Sequence, residues 1–297
     1  MELKLQKTQH PNFKDHGIRF KNLIGLDDSK SELLITMKMI LKENLIENWE
    51  KKHHKEPLTF LMKGLKLSPL IILSGEVGCG KTELAQTIGT PLASLLDTMV
   101  ISLQTPSDIR GVGLVGQLSA RITAAFTQAK SEIKKGCGIL IIDEADDIAT
   151  NRDQTQAHHE DKAGVNALIK EIDSIEKENV NMVVLLITNR MSSLDPAVIR
   201  RACLHVKFKR PGKNELPKIF NTILDGARVS DAEIEELTEV ALSKPTSFSY
   251  SDLFQRVAKQ ALLKAIENDK PFNSKILLEI LKKTEPTPLI IDEKKHD

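Results

Sequence analysis

The chain has 297 residues, 40% of them apolar, so it can bury an ordinary core and wholesale disorder is excluded. Lys plus Arg number 42 and Asp plus Glu 41, with nine Phe, one Trp and one Tyr, so neither charge nor aromatic content favours nucleic acid or an anionic membrane as partner. Three scattered cysteines make neither a disulfide framework nor a metal knuckle, and no apolar run suits a signal peptide or a membrane span, so a soluble cytoplasmic protein is expected.

Residues 1–20 are polar and carry no periodic pattern, and are expected to form a flexible or docking arm. A helix is predicted from Asp27, where Leu33, Leu34, Met37, Ile40, Leu41 and Leu45 recur at helical spacing behind the capping side chains Asp27, Asp28 and Ser29. The basic cluster 51–55 reads as its solvated far end. Apolar runs at 69–74, 99–103, 139–142 and 182–187 then predict strands, and 204–208 alternates like an edge strand. Helical patterns over 81–88, 119–133 and 163–174 separate them. Short apolar strands spaced by helices predict a parallel sheet covered on both faces.

Beyond Pro211-Gly212 the strand signals stop. Three or four amphipathic helices are predicted over 214–285, the clearest at 250–268 with Leu253, Phe254, Val257, Ala261, Leu262 and Ile266 on one face. Residues 286–297 form a charged tail with a small apolar island, Leu289-Ile290-Ile291, that could serve as a docking peptide.

The segment GEVGCGKT (75–82) satisfies G-x-x-x-x-G-K-[ST], follows an apolar strand and opens a helix. Gly75, Gly78 and Gly80 let the backbone curl so that N–H groups face one concavity, to which the helix N-terminus adds its positive end. Lys81 would reach the β- and γ-phosphates, and the Thr82 hydroxyl would ligate Mg²⁺. The loop residues Glu76, Val77 and Cys79, together with Glu83, complete the expected nucleotide contacts. Cys79 is read as a small residue whose thiol could let reagents block the site.

The segment GILIIDEAD (138–146) is an apolar strand ending in adjacent carboxylates. Asp143 suits the Mg²⁺ shell and Glu144 the polarisation of an attacking water. A third strand, VVLLITN (183–189), ends in Asn189, which would lie beside the γ-phosphate if this strand neighbours the first. In LDPAVIRRA (194–202), Asp195-Pro196 signals a helix start, and Arg200 and Arg201 are candidates for a transition-state charge clamp.

These motifs, in this order, resemble the AAA family of ATPases over about 20–283. GEVGCGKT resembles Walker A, ILIIDEAD Walker B, LLITNR sensor 1 and LDPAVIRR the second region of homology. FKNLIGLDDSKSELL (20–34) resembles the segment whose Ile-Gly pair, here ending in Gly25, lies near the adenine. The resemblance implies an αβα sandwich with a five-stranded parallel sheet over 21–213 and a small α-helical lid over 214–285. It also implies ATP and Mg²⁺ as ligands and a homo-oligomeric ring, usually a hexamer, in which a neighbour's arginine completes each site. Two departures stand out. Cys203 occupies the position of the family's second arginine, and Leu114, in Leu114-Val115-Gly116, stands where polypeptide-threading members carry an aromatic pore residue. The polar stretch 150–164 takes the second pore-loop position, and its His158-His159 pair lacks the spacing of a metal-binding helix.

With only about 20 residues ahead of the ATPase core, the leading expectation is a compact ring ATPase that remodels or translocates a protein substrate with a separately encoded partner. The alternative is a nucleotide-gated switch that assembles a complex with little threading. A nucleic-acid remodeller is the weaker third.

Overall fold

The computed structural model describes residues 3–12, 18–42, 45–59, 67–107, 109, 116–134, 136–150 and 159–289. Its sheet has six strands: β1 (Gln6–His10), β2 (Leu70–Gly75), β3 (Val100–Gln104), β4 (Cys137–Ile142), β5 (Met182–Thr188) and β6 (Leu204–Phe208). The order is β1-β3-β4-β5-β2-β6. Pairings β2–β5, β3–β4 and β4–β5 are parallel and β1–β3 is antiparallel. The mixed α/β class thus holds, with every predicted strand present.

The sixth strand corrects the expected five and the expected flexible arm. Gln6 pairs with Gln104 and His10 with Val100, closing the β3 edge. Four of the five β1 residues are exposed, so its sequence has no apolar alternation to read. Of residues 3–12, Leu5 and His10 are the buried ones, His10 with Nδ1 3.0 Å from the Thr90 hydroxyl oxygen.

The chain forms two compact units whose segments alternate along the sequence, rather than the linear partition of 21–213 and 214–285 expected from the strand and helix pattern and the resemblance. One lies within Met1–Phe20, Asp28–Ser74 and Thr82–Lys207 and contains most of the sheet. Alternate residues of β2 pack to opposite faces: Leu70 and Ile72 join Leu140, Ile142, Val184 and Leu186 in a core with Ile122, Phe126, Leu168 and Ile172. Ile71 and Leu73 are buried too, as a doubly covered parallel strand requires. Helices Gln117–Ile133 and His159–Lys177 cover the first face. The predicted helix from Asp27 ends at Leu41, and Leu45 begins a separate one running to His53 that carries the start of the basic cluster.

The second unit comprises Lys21–Asp27, Gly75–Lys81 and Phe208–Asp297. Its helices, Leu216–Ile223, Asp231–Leu242, Asp252–Glu267 and Ser274–Lys283, bury Leu216, Phe220, Leu237, Phe248, Leu253, Val257, Leu277 and Leu281 together. Ser230 caps the second of these through a reciprocal pair of bonds with Glu233. In the third, Asp252–Ala258 is π-helical. Its i→i+5 bonding shifts the phase of the following turns, so Ala261 and Ala265 face the core. Leu262 and Ile266, expected on the buried face, are 47% and 68% exposed.

Candidate nucleotide site

Loop 75–81 packs within the helical unit, and the reason is local. The Ser251 N–H donates to the Gly78 carbonyl at 3.0 Å. At Gly78, with φ +73°, a Cβ would press on Ser249 and Ser251, and at Gly75 one would run into the Phe208 carbonyl. Only glycine permits this approach. The Lys81 side chain curls over its own loop, Nζ donating to the carbonyls of Gly75 and Glu76 at 2.8 Å each. Lys81 is only 5% exposed, a buried cation held where phosphate oxygens would bind. Gly25, also at positive φ, is crowded by Glu215 and the Tyr250 hydroxyl in the same unit. Burial first, then the Glu215 charge, pushes the Tyr250 phenol up to about 12.

Cys79 is buried, and burial drives its thiol up to about 11 against the pull of Lys81 and Arg210. Burial and the raised thiol both argue against reagents blocking the site through it. Glu76 lies 3.5 Å from Arg210, whose side chain is 5% exposed.

The sheet unit carries the other groups. The Thr82 hydroxyl donates to Asp143 Oδ2 at 2.8 Å. Two hard oxygen ligands at right angles on an octahedral Mg²⁺, with bonds of about 2.1 Å, would lie about 3 Å apart, so this pair fits the cation that the motif implies. The Glu144 N–H donates to Asp143 Oδ1 at 2.9 Å, orienting the carboxylate. Glu144 itself is exposed, with φ +53°, left-handed backbone that a residue with a Cβ adopts at a cost. The chain enters the short helix Ala145–Asp147 directly after it.

β5 lies between β2 and β4, with Ser74 opposite Thr188 and Ile142 opposite Leu186, so Asn189 follows the strand adjacent to both. Thr188 anchors this corner. Its hydroxyl donates to Asp146 Oδ1 at 2.9 Å and accepts from the Arg190 N–H at 2.9 Å. Sequence reasoning passed over Thr188 and Asp146; a hydroxyl at the end of an otherwise apolar strand was the available signal. Asp195 caps Pro196–Ile199, accepting from the Ala197 N–H.

The two arginines separate. Arg201 is committed within the chain, with Nε 3.0 Å from Asp173 Oδ1, Nη2 3.3 Å from Oδ2, and Nη1 donating to the Ala197 carbonyl. Arg200 is exposed, its N–H donates to the Pro196 carbonyl, and its side chain makes no hydrogen bond or ion pair among the described residues. Of the pore candidates, Leu114 and Val115 lie outside the described residues, and Gly116 is the left-handed residue capping Gln117–Ile133. Most of 150–164 lies outside them as well. Among the described residues no cluster could hold a metal through three His, Cys, Asp or Glu, and no helix is long and apolar enough to cross a membrane.

A sequence model of the "ATPase family associated with various cellular activities (AAA)" matches residues 71–211. The CD-NTase-associated protein 6 of Escherichia coli strain MS 115-1 is 35% identical over 306 residues, covering 98% of this chain and 97% of that protein. Among solved structures, a chain of the E. coli MS115-1 HORMA:CdnC:Trip13 complex superposes with a TM-score of 0.88 at 34% identity, over 97% of this chain and 98% of that one. The Rhizobiales Trip13 structure follows with a TM-score of 0.74 at 32% identity, over 95% and 98%.

Proposed function

This chain belongs to the AAA family of ATPases, and from that premise we propose that it hydrolyses Mg²⁺-bound ATP in an oligomeric ring to remodel a protein partner. The observation that carries the chemistry is the hydrogen bond from Thr82 to Asp143, which joins the residue after the phosphate-loop lysine to the acidic strand end. Bound Mg²⁺ would neutralise charge on the β- and γ-phosphates, with Thr82 and Asp143 as its protein-side holders. Loop 75–81 supplies N–H donors and Lys81 a cation to the phosphates. Glu144 accepts a proton from the attacking water, whose oxygen bonds to the γ-phosphorus as the bond to the β-phosphate oxygen breaks, yielding ADP and phosphate. Asn189 orients that water beside the γ-phosphate.

Arg200 is the group we assign to the neighbouring subunit's site. Its side chain is exposed and has no partner among the described residues, whereas Arg201 already serves Asp173. The partner reading rests on the relative whose structure is titled as a complex with HORMA and CdnC; a HORMA-type protein is accordingly the proposed substrate here. The cytoplasm is the proposed compartment.

The test is ATP turnover per subunit across a wide range of protein concentration, with and without such a partner. A rise to a plateau supports a site completed between subunits. Flat, appreciable turnover removes the ring from the mechanism. Intact ATP binding with negligible turnover under all conditions would favour the nucleotide-gated switch.

A further inference from the structure

Within the helical unit, the start of the expected charged tail is pinned rather than loose. The Thr287 hydroxyl donates to Asp252 Oδ1 at 2.6 Å, and its N–H donates to Asp252 Oδ2 at 3.2 Å. Asp252 is 2% exposed and also accepts from the Ser249 N–H and hydroxyl and from Arg256. Burial opposes ionisation of Asp252, but these donors, Thr287 foremost, outweigh it and hold the carboxyl well below the usual range.

Arg210 grips the same strap by its backbone. Its Nη1 donates to the Thr287 carbonyl at 2.7 Å and to the Ser247 carbonyl at 2.6 Å, and its Nη2 to the Pro288 carbonyl at 3.1 Å. The same Nη2 lies 3.5 Å from Oε2 of Glu76 in loop 75–81, too long for a tight charge-assisted bond. Arg210 Nε is buried without a partner among the described residues. A cation in that setting depends on its remaining acceptors. If the strap leaves, two carbonyls go with it, and Glu76 is the carboxylate at hand. The strap therefore fixes where Arg210 sits beside Glu76 of the loop.

We propose that Arg210 is a positioning residue linking the strap Thr287–Pro288 to the phosphate loop through Glu76, so that strap docking and nucleotide affinity are coupled. The inference rests on the reading of 75–82 as the nucleotide loop. By linkage the coupling is reciprocal: nucleotide tightens the strap, and whatever engages the tail beyond Leu289 changes affinity for nucleotide.

The test uses the full chain, a fluorescent non-hydrolysable ATP analogue, and the variants Thr287→Val, Glu76→Gln and the double. Thr287→Val keeps the side-chain shape while removing the hydroxyl donated to Asp252. Each single variant is expected to weaken binding about five- to tenfold. The double should be no weaker than the worse single, because both act through Arg210. Hydrogen exchange at the Thr287 amide should slow in the wild-type chain when the analogue is added. Additive losses, wild-type affinity in Thr287→Val, or exchange at Thr287 indifferent to the analogue would each overturn the coupling. A Lys81→Ala control separates the two levels: if it binds like wild type, the nucleotide-loop reading itself falls.

Discussion

Arg200 and Arg201 stand side by side in sequence, yet truncating them should do different things. Arg201→Ala removes a two-pronged ion pair with Asp173 and a bond to the Ala197 carbonyl. The partners are 36% and 40% exposed, so solvent screens the pair, and the ion pair contributes about 0.5 kcal/mol. The carbonyl bond adds about as much, for a total of about 1 kcal/mol. Over a unit of this size that lowers the melting temperature by about 2–4 °C. Arg200→Ala removes no described bond and should shift stability by less than about 0.5 kcal/mol. If Arg200 reaches a neighbour's γ-phosphate, its loss should instead cut turnover by about 10³-fold or more. Thermal melts and steady-state ATP turnover at saturating protein would be measured on both variants. Mixing Arg200→Ala with Lys81→Ala subunits adds the decisive arm. Each lacks a different half of the site, so mixed rings should regain activity. Normal turnover in Arg200→Ala, or inactive variants with no recovery on mixing, would refute action in trans.

Glu144→Gln should retain ATP binding while turnover falls by about 10²-fold or more, trapping ATP-loaded assemblies that size-exclusion chromatography would resolve. Thr188→Val should leave an Asp146 oxygen and the Arg190 N–H without their shared hydroxyl, costing about 1–2 kcal/mol in a denaturant melt. Burial lowers the His10 pKa, so the folded strand refuses a proton that the unfolded chain accepts near 6.5. The stability His10 lends is thus present above that pH and is lost as pH falls towards the folded value, read as smaller protection factors for the β1 amides at pH 5 than at pH 7.5, each referred to the intrinsic exchange rate at its own pH. Cys79 should resist maleimide in the native protein and react once denatured.

Much of the fold was legible because its signals are local. The apolar runs that became β2 to β5 are buried on both faces, so composition alone marks them. The loop 75–82 and the carboxylates after β4 stand out for a similar reason, as particular residue types at the fixed spacing that a phosphate-binding motif calls for. β1 was not legible, because a solvated edge strand is held by backbone pairing that any side chain can accompany. On helix 252–267 the expected Leu253, Val257 and Ala261 are buried, but Leu262 and Ile266 were misread because a π-turn resets a periodicity that sequence can express only as a regular helix.

Residue types and their order along the chain thus determined the largely parallel sheet, the glycine-rich loop 75–82 and the acidic pair Asp143-Glu144 at a strand end. Tertiary structure decided which of two adjacent arginines is already spent, that Asn189 follows the strand between β2 and β4, and that Arg210 ties the tail to the loop. Those facts depend on Asp173, Ser74 and Thr287 arriving from far along the chain. Long-range partnership leaves no periodicity behind, so only the folded chain carries it.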